Sequence, residues 1–534
     1  MVRTIAVAVL AGLAYAVTAA GADPATPEAT DAAILAEVKS RSEIMKNLKY
    51  ISDVIGPRLT GSPQLEKANN WTAEKMREYG LTSVRLEPWE IPVGWQRGTA
   101  SVKLLEPTER QLLVASAGWT PSTKGKVTGP VVVVDARTKA DLEKYKGKLK
   151  NAVILRAPPS DVPGVQTTGA RQRAAAPAPA PVGEKKDEPK KDETKKDEAK
   201  KDEPKKEEPK RDGPPRGGFG EMRALMAEMD AFFKTEGVAA TVRDSGKPHG
   251  LLVTTGGWRS GDRAAEQEGI VSLFMAHEHY AQLYRLVKEH KLTPTVEIEV
   301  TNKLTPGPIT VYNTVGEIVG SEKPDEFVVI GAHLDSWDLA SGTTDNGTGS
   351  SIVLECARTL AALAKQGVRP KRTIRFVLFT GEEQGLHGSK QYIAKHMDEM
   401  PKTSVALVHD TGTGKVTGFG LLGRTEVKKA LGTQLDILNA LGFEGLTMGG
   451  IRGGTDHYSF DQVGVPGFAC NQDSDEYLFT HHTQSDTFDK AKEPNLIQGA
   501  QVLCVTAMRV ANLPELLPRN DSDKEKWEKA QKKK

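Results

Sequence analysis

The chain has 534 residues, 38% hydrophobic and 27% charged, with a formal net charge of +2. That length and apolar content exclude wholesale disorder and leave room for more than one domain. The near-neutral balance supplies no clustered basic face of the kind phosphates require, so no nucleic-acid partner is expected.

Charge is unevenly spread. Residues 184–212 hold 24 charges in 29 positions, 12 of each sign, and outside them the charged fraction falls to roughly 23%, an ordinary globular value. At the start of the chain, residues 1–22 read as an export signal. Arg3 supplies a positive end, Ile5 to Val17 is an unbroken run of apolar and small residues, and Ala20-Gly21-Ala22 offers a cleavage site. The run is too short to span a bilayer as a helix. The protein is therefore expected to be exported, periplasmic or extracellular, without membrane contact after signal cleavage. Its three cysteines, Cys356, Cys470 and Cys504, are too few and too far apart for a disulfide framework.

Residues 23–106 read as the first part of a catalytic domain. Ala22 to Ala32 is expected to be flexible, with helical periodicity beginning near Ile34. A second helix is predicted over about Pro63–Tyr79, closed by Gly80, and strands over Ser83–Pro92 and Ala100–Leu105. Residues 107–304 change texture to short β runs at Pro130–Asp135, Ala152–Arg156, Gly250–Thr255 and Thr295–Val300, which predicts an inserted β-rich domain. Within it, residues 157–219 are low in complexity. Balanced charge with regular proline cannot offset the entropy of ordering, so a solvated loop is expected there.

Residues 305–515 return to the catalytic domain, with a charged tail over 516–534. From Asn313 onward strands alternate with helices: strands at Glu326–Gly331, Thr373–Phe379, Ser404–Val408 and Val465–Cys470, helices at Gly347–Ala364, Leu386–His396 and Leu496–Leu513. The pattern predicts an α/β fold, a mostly parallel sheet covered on both faces. In such sheets ligands bind beyond the carboxyl ends of the strands.

Four predicted strand ends lead into imidazoles or carboxylates: His333 and Asp335, Glu382 and Glu383, His409 and Asp410, His481 and His482. With no run of Lys or Arg nearby to balance them, these groups require a cation, and carboxylates with imidazoles but no thiolates suit catalytic zinc or a similar divalent ion. The candidate ligands are His333, Asp345, Glu383, Asp410 and His482. Five side chains can hold two ions if one carboxylate bridges, and Asp345, in the turn Thr344-Asp345-Asn346-Gly347 before a helix, is the natural bridge. Asp335 is expected to accept the His333 imidazole N–H. Of the adjacent acids, one can bind metal while the other acts as general base toward a metal-bound water. Glu382 is given the base's role, although sequence alone leaves the two interchangeable. His409 should point away from Asp410, His387 and His396 are expected to pack or lie on the surface, and His457 is a candidate for the pocket wall.

The runs His333-Leu334-Asp335-Ser336-Trp337-Asp338, Asp345-Asn346-Gly347, Thr380-Gly381-Glu382-Glu383-Gln384-Gly385, Asp410, and His481-His482-Thr483 with Asp486-Thr487 resemble, in order, the co-catalytic two-zinc exopeptidases. That family includes bacterial secreted aminopeptidases, glutamate carboxypeptidases and carboxypeptidase Q. The resemblance implies a three-layer α/β/α domain and two Zn2+, with His333 and Asp410 on one ion, Glu383 and His482 on the other and Asp345 on both. It implies Glu382 as base, a short peptide substrate, a cis peptide after Asp345, and a protease-associated type of insertion. Trp337-Asp338, His481, Gly454-Thr455-Asp456 and Val465-Pro466-Gly467 lean toward the carboxypeptidase Q-like branch, where homodimers are common. By the same resemblance His481 would contact the substrate carbonyl or terminus. Aminopeptidase, carboxypeptidase and dipeptidase action all stay open, and a catalytically silent receptor-like protein of the same fold is the alternative from another class.

Overall fold

The computed structural model describes residues 26–162, 219–258, 269–474 and 476–532. The expected export signal and most of the low-complexity segment lie outside the described residues. The chain divides into two compact units, one made of Met1–Gly94 with Pro306–Lys534 and the other of Trp95–Thr305.

The first unit is built on strands β1 (Thr82–Gln96), β2 (Lys303–Ile318), β3 (Lys323–His333), β4 (Arg372–Phe379), β5 (Thr403–Val408), β6 (Val416–Gly420), β7 (Gly445–Thr447) and β8 (Gly467–Gln472). They form one sheet in the order β1-β2-β4-β3-β5-β8-β6-β7. The four central strands β4, β3, β5 and β8 are parallel, while β2 and β6 pair with this centre in antiparallel fashion. Every residue of β4 and β5 is buried, as expected of strands covered on both faces.

Alternation along these strands divides the core. Val328, Ile330, Ile374, Phe376, Leu378, Val405 and Leu407 face one cluster, shared with helices α1 (Pro27–Arg41), α2 (Pro63–Tyr79), α3 (Thr348–Lys365) and α5 (Glu493–Asn512). Val329, Val377, Phe379 and Ala406 face the opposite cluster, with Tyr392 and Ile393 of α4 (His387–Lys395) and Trp527 of α6 (Asp521–Gln531). This is the expected three-layer arrangement, and the period-2 direction of side chains in strands produces it. Helix α2 has the predicted limits, with the Ser62 side chain accepting from Leu65 N and left-handed Gly80 at its end.

Some expectations are corrected. Helix α1 begins at Pro27, inside the stretch expected to be flexible, because Thr26 caps it and Pro27 occupies a first-turn position that needs no N–H donor. The segment 516–534 contains α6, which docks through Asp523, buried against Arg424, through Lys526 on Asp461, and through the Trp527 ring. Gly250–Thr255 forms no strand. The three cysteines are free and buried. No helix among the described residues is long and apolar enough to cross a membrane.

The second unit has its own eight-stranded sheet. Val127–Val133, Val153–Leu155, Ala240–Asp244 and Val271–Met275 run parallel in it, and Ala100–Glu106 pairs antiparallel with Thr295–Val300. That pairing, with the Trp95 indole N–H donated to the Thr120 carbonyl, moves the unit's start from the expected residue 107 back to Trp95.

Candidate active site

The register of the sheet brings the predicted residues together. His333 is level with Phe379, Gly331 with Val408 and Val408 with Ala469, so the parallel strands end along one rim. His333 closes β3, Glu382 and Glu383 follow β4, Asp410 follows β5, and the segment after β8 returns as His481 and His482. Gly381 permits the turn before the paired acids. Its φ is +79°, and a Cβ there would stand 2.9 Å from the Trp89 ring.

Asp345 lies at the centre. Its Oδ1 is 3.3 Å from His333 Nε2 and its Oδ2 is 3.4 Å from His482 Nε2. His333 Nε2 is also 2.8 Å from Asp410 Oδ1, and His482 Nε2 is 2.9 Å from Glu383 Oε2. One carboxylate thus separates two imidazole–carboxylate pairs. Asp345 Oδ2 and Glu383 Oε1 are buried without a hydrogen bond, which is costly unless a cation meets them. Carboxylate and imidazole donors at such spacing fit divalent ions with open positions. The Asp345–Asn346 peptide is cis, and Asp486 accepts the backbone N–H groups of Thr344 at 2.5 Å and Asp345 at 3.1 Å, fixing this turn at the start of α3.

Asp335 differs from its expected role. The His333 Nδ1–H is taken by the backbone carbonyl of Asp335 at 2.9 Å, with the nearer carboxylate oxygen 3.7 Å away. The carboxylate instead accepts the backbone N–H groups of Glu382 and Glu383, both at 3.3 Å, and the Thr60 hydroxyl at 3.1 Å. It positions the loop that carries the paired acids. His481 is 41% exposed and its Nε2 stands 3.9 Å from Asp345 Oδ2, with its ring stacked on His482 at 3.7 Å between centroids. Trp337 sets its ring edge-on to His482. His409 is buried toward α5, next to Gly499, and does not join the cluster. His457 does not line the pocket; it is buried, and Nε2 donates to the Ile451 carbonyl at 2.8 Å. His387 stacks on Trp89, and His396 lies in an ionic network with Glu87 and Glu399.

Burial dominates the electrostatics. It pushes the Glu382 and Glu383 carboxyls well above the usual range, and neighbouring Asp410 and Asp345 add to it. Asp345 goes the other way: burial opposes its ionisation, but hydrogen bonding to His333 and the charges of His482 and His481 hold it low. A divalent ion would favour the ionised form of all of them. Burial and the negative charge of Asp345 raise Asp486 to about 7, against the bonds it accepts from the Thr344 turn.

Among the described residues no run of Lys or Arg adjoins the acids, but one cation lies beside them. Arg58 is fully buried, and its guanidinium donates to the carbonyls of Leu334, Ser341 and Gly342 at 2.7, 2.9 and 2.6 Å. Burial lowers it to about 10, while Asp486, Asp335, Asp345 and Glu383 hold its charge. It clamps the loop between His333 and Asp345. A single Arg between Pro57 and Leu59 has no periodic or spacing signal, so only the fold reveals it.

A cavity of about 450 Å³ opens on the cluster, lined by Asp345, Glu382, Glu383, Asp410, His481 and His482 on one side and by Leu386, Ile451, Gly454, Thr455 and Tyr477 on the other. A second cavity of about 540 Å³, lined by Met397, Val463, Lys526 and Ala530 among others, holds no carboxylate or imidazole.

Residues 313–507 match the family model described as peptidase family M28. Carboxypeptidase Q of Homo sapiens is 26% identical over 489 residues, covering 90% of this chain and 88% of that protein. Among solved structures, a peptidase M28 precursor from Shewanella amazonensis aligns with a TM-score of 0.69 at 24% identity, over 92% of this chain and 99% of that one. A zinc aminopeptidase from Bacillus subtilis aligns with a TM-score of 0.57 at 17% identity, over 90% and 98%. The matched segment spans the strand ends and their acids from β2 to α5, and together with the full-length relatives and the shared fold it identifies the chain as a metallopeptidase.

Proposed function

We propose that the chain is a zinc-dependent exopeptidase that removes a terminal residue from short peptides or dipeptides, with two ions held by His333 and Asp410, by Glu383 and His482, and by Asp345 between them. The observation that carries this is Asp345, whose two oxygens face two imidazoles at 3.3 and 3.4 Å on the wall of a cavity of about 450 Å³. Zinc bound there would act as a Lewis acid and lower the pKa of a water in the site. Glu382 would take that water's proton and deliver it to the departing amine, a role supported by its place on the cavity wall beside Glu383 and Asp410. Asp335 would hold Glu382 in register through the backbone. His481, partly exposed at the rim, would contact the substrate's carbonyl or terminus. The same reading takes Trp95–Thr305 as an insertion of protease-associated type and the exported compartment as the place of action.

A panel of dipeptides, N-blocked peptides and aminoacyl anilides would separate dipeptidase, carboxypeptidase and aminopeptidase action. Glu382→Gln should lower kcat by about 10²–10⁴-fold while zinc remains bound. Peptide hydrolysis at the wild-type rate in that variant would refute the base assignment.

A further inference from the structure

The far wall of the cavity is a loop with few supports. Its start is held where Leu422 N donates to the Gly449 carbonyl at 3.0 Å and Gly423 N to the Met448 carbonyl at 2.8 Å. Then follow Gly450, Gly453 and Gly454 with φ of +138°, +90° and +76°, and a Cβ added at Gly453 or Gly454 would touch nothing within 4 Å. Neither neighbouring packing nor backbone preference therefore fixes the tip. Ile451, on this tip, lines the cavity and is 44% exposed. A large aliphatic side chain left open on a pocket wall is surface that a ligand can cover.

The tip is tied down from below. His457, only 1% exposed, sends Nε2 to the Ile451 carbonyl at 2.8 Å. A carbonyl can only accept, so the ring carries its proton on Nε2, and Nδ1 is left buried without a partner. Burial lowers the pKa of this imidazole, which favours its neutral form. The lining contains no Lys or Arg, and apart from Tyr477 its large apolar side chains are Leu386 and Ile451.

We propose that His457 is a positioning residue for substrate: by holding the Ile451 carbonyl it fixes loop 448–454 as the pocket wall against which an apolar substrate side chain packs. The inference rests on the exopeptidase reading and names its preferred substrates as short peptides with an uncharged, apolar residue beside the scissile bond. His457 touches no reacting atom, so it governs substrate binding and leaves the chemical step alone.

The test is steady-state kinetics on dipeptides carrying Ala, Leu, Phe or Lys, with zinc content and thermal unfolding measured in parallel. His457→Phe fills the same space without a donor and should raise KM for the Leu and Phe substrates about 5–10-fold, with kcat within about two-fold. His457→Gln restores a donor and should return KM to within about two-fold of wild type. Ile451→Ala should raise KM for Leu and Phe by a similar factor and leave the Ala substrate unchanged, and His457→Phe should add little in that background. An unchanged KM in His457→Phe or in Ile451→Ala overturns the proposal. So does a His457→Phe protein that loses zinc or fails to fold, which would make His457 a structural residue. If the wild-type enzyme cleaves none of the panel, the exopeptidase reading itself fails; if it is active and the variants match it, only this inference fails.

Discussion

The carboxylate of Asp335 accepts the backbone N–H of Glu383 at 3.3 Å, tying the end of β3 to the loop that follows β4. Its other oxygen does the same for Glu382. In Asp335→Asn one oxygen becomes an NH2 group facing an N–H donor, so the loop must shift. Outer-shell losses of this kind typically cost about 10–100-fold in activity or metal affinity. We expect kcat/KM to fall by about that much with the fold intact by circular dichroism; wild-type kinetics in Asp335→Asn would show that the loop holds itself.

Metal analysis after dialysis checks the bridge. Asp345 lies between two separate donor pairs, so Asp345→Ala should lower the content from about two zinc ions per chain toward none. His482→Ala should remove about one and leave the ion near His333. Retention of both ions by Asp345→Ala would rule out a bridged site.

The network around His396 predicts a pH-dependent contribution to stability. Burial lowers the pKa of this imidazole, but its hydrogen bonds to Glu399 and Glu87, each at 3.0 Å, outweigh that and raise it overall. A raised folded-state pKa stabilises fully below the unfolded value, about 6.5, and the benefit disappears as pH rises through the folded value. Glu399 is held down at about 2: burial opposes this, but His396 and Arg375 dominate. Its contribution is present above the ordinary carboxylate range and disappears only as pH falls toward that value. The stability gap between wild type and His396→Gln should therefore be widest near pH 5–6 and shrink above about pH 7. Urea unfolding across that range would measure it, and a gap that widens with rising pH would contradict the assigned sign.

Helix α6 depends on Arg424, whose guanidinium meets both oxygens of Asp523 at 3.0 and 2.6 Å, with both side chains buried. Removing Asp523 breaks both bonds, but Asp461 at 2.6 Å keeps the buried guanidinium paired, so the cost is that of lost hydrogen bonds to a charged group, about 1.5–3 kcal/mol. Asp523→Ala should lose stability in that range by denaturant unfolding, whereas an exposed pair such as Lys524 with Asp521 should be worth less than about 1 kcal/mol. Equal, small effects would mean that α6 is not docked in solution.

The elements with strong periodicity were legible from residue order. Helix α2, strands β3, β4 and β5 and helix α5 fall near their predicted positions because continuous apolar runs suit strands buried on both faces and helical apolar spacing suits a helix packed on one. The weaker strands β6 and β7 carried no such signal: β6 joins the sheet through antiparallel pairing with β8 and β7 through β6, and long-range partners of that kind leave little trace in local pattern. The start of α1 was missed although Thr26 and Pro27 form a helix-start signal, because the surrounding Ala and Thr residues mask its amphipathicity.

The sequence by itself determined which residues could carry the chemistry, since imidazoles and carboxylates following successive strands of a parallel sheet must collect at its carboxyl end. Only the tertiary structure decided how they divide the work. The choice between the Asp335 carbonyl and its carboxylate as partner of His333, the burial of Arg58 beneath the site, and the tie from His457 to Ile451 all depend on distances between segments far apart in the chain or on the path of a local loop. Those distances are set by packing, which a one-dimensional pattern of residue types does not encode.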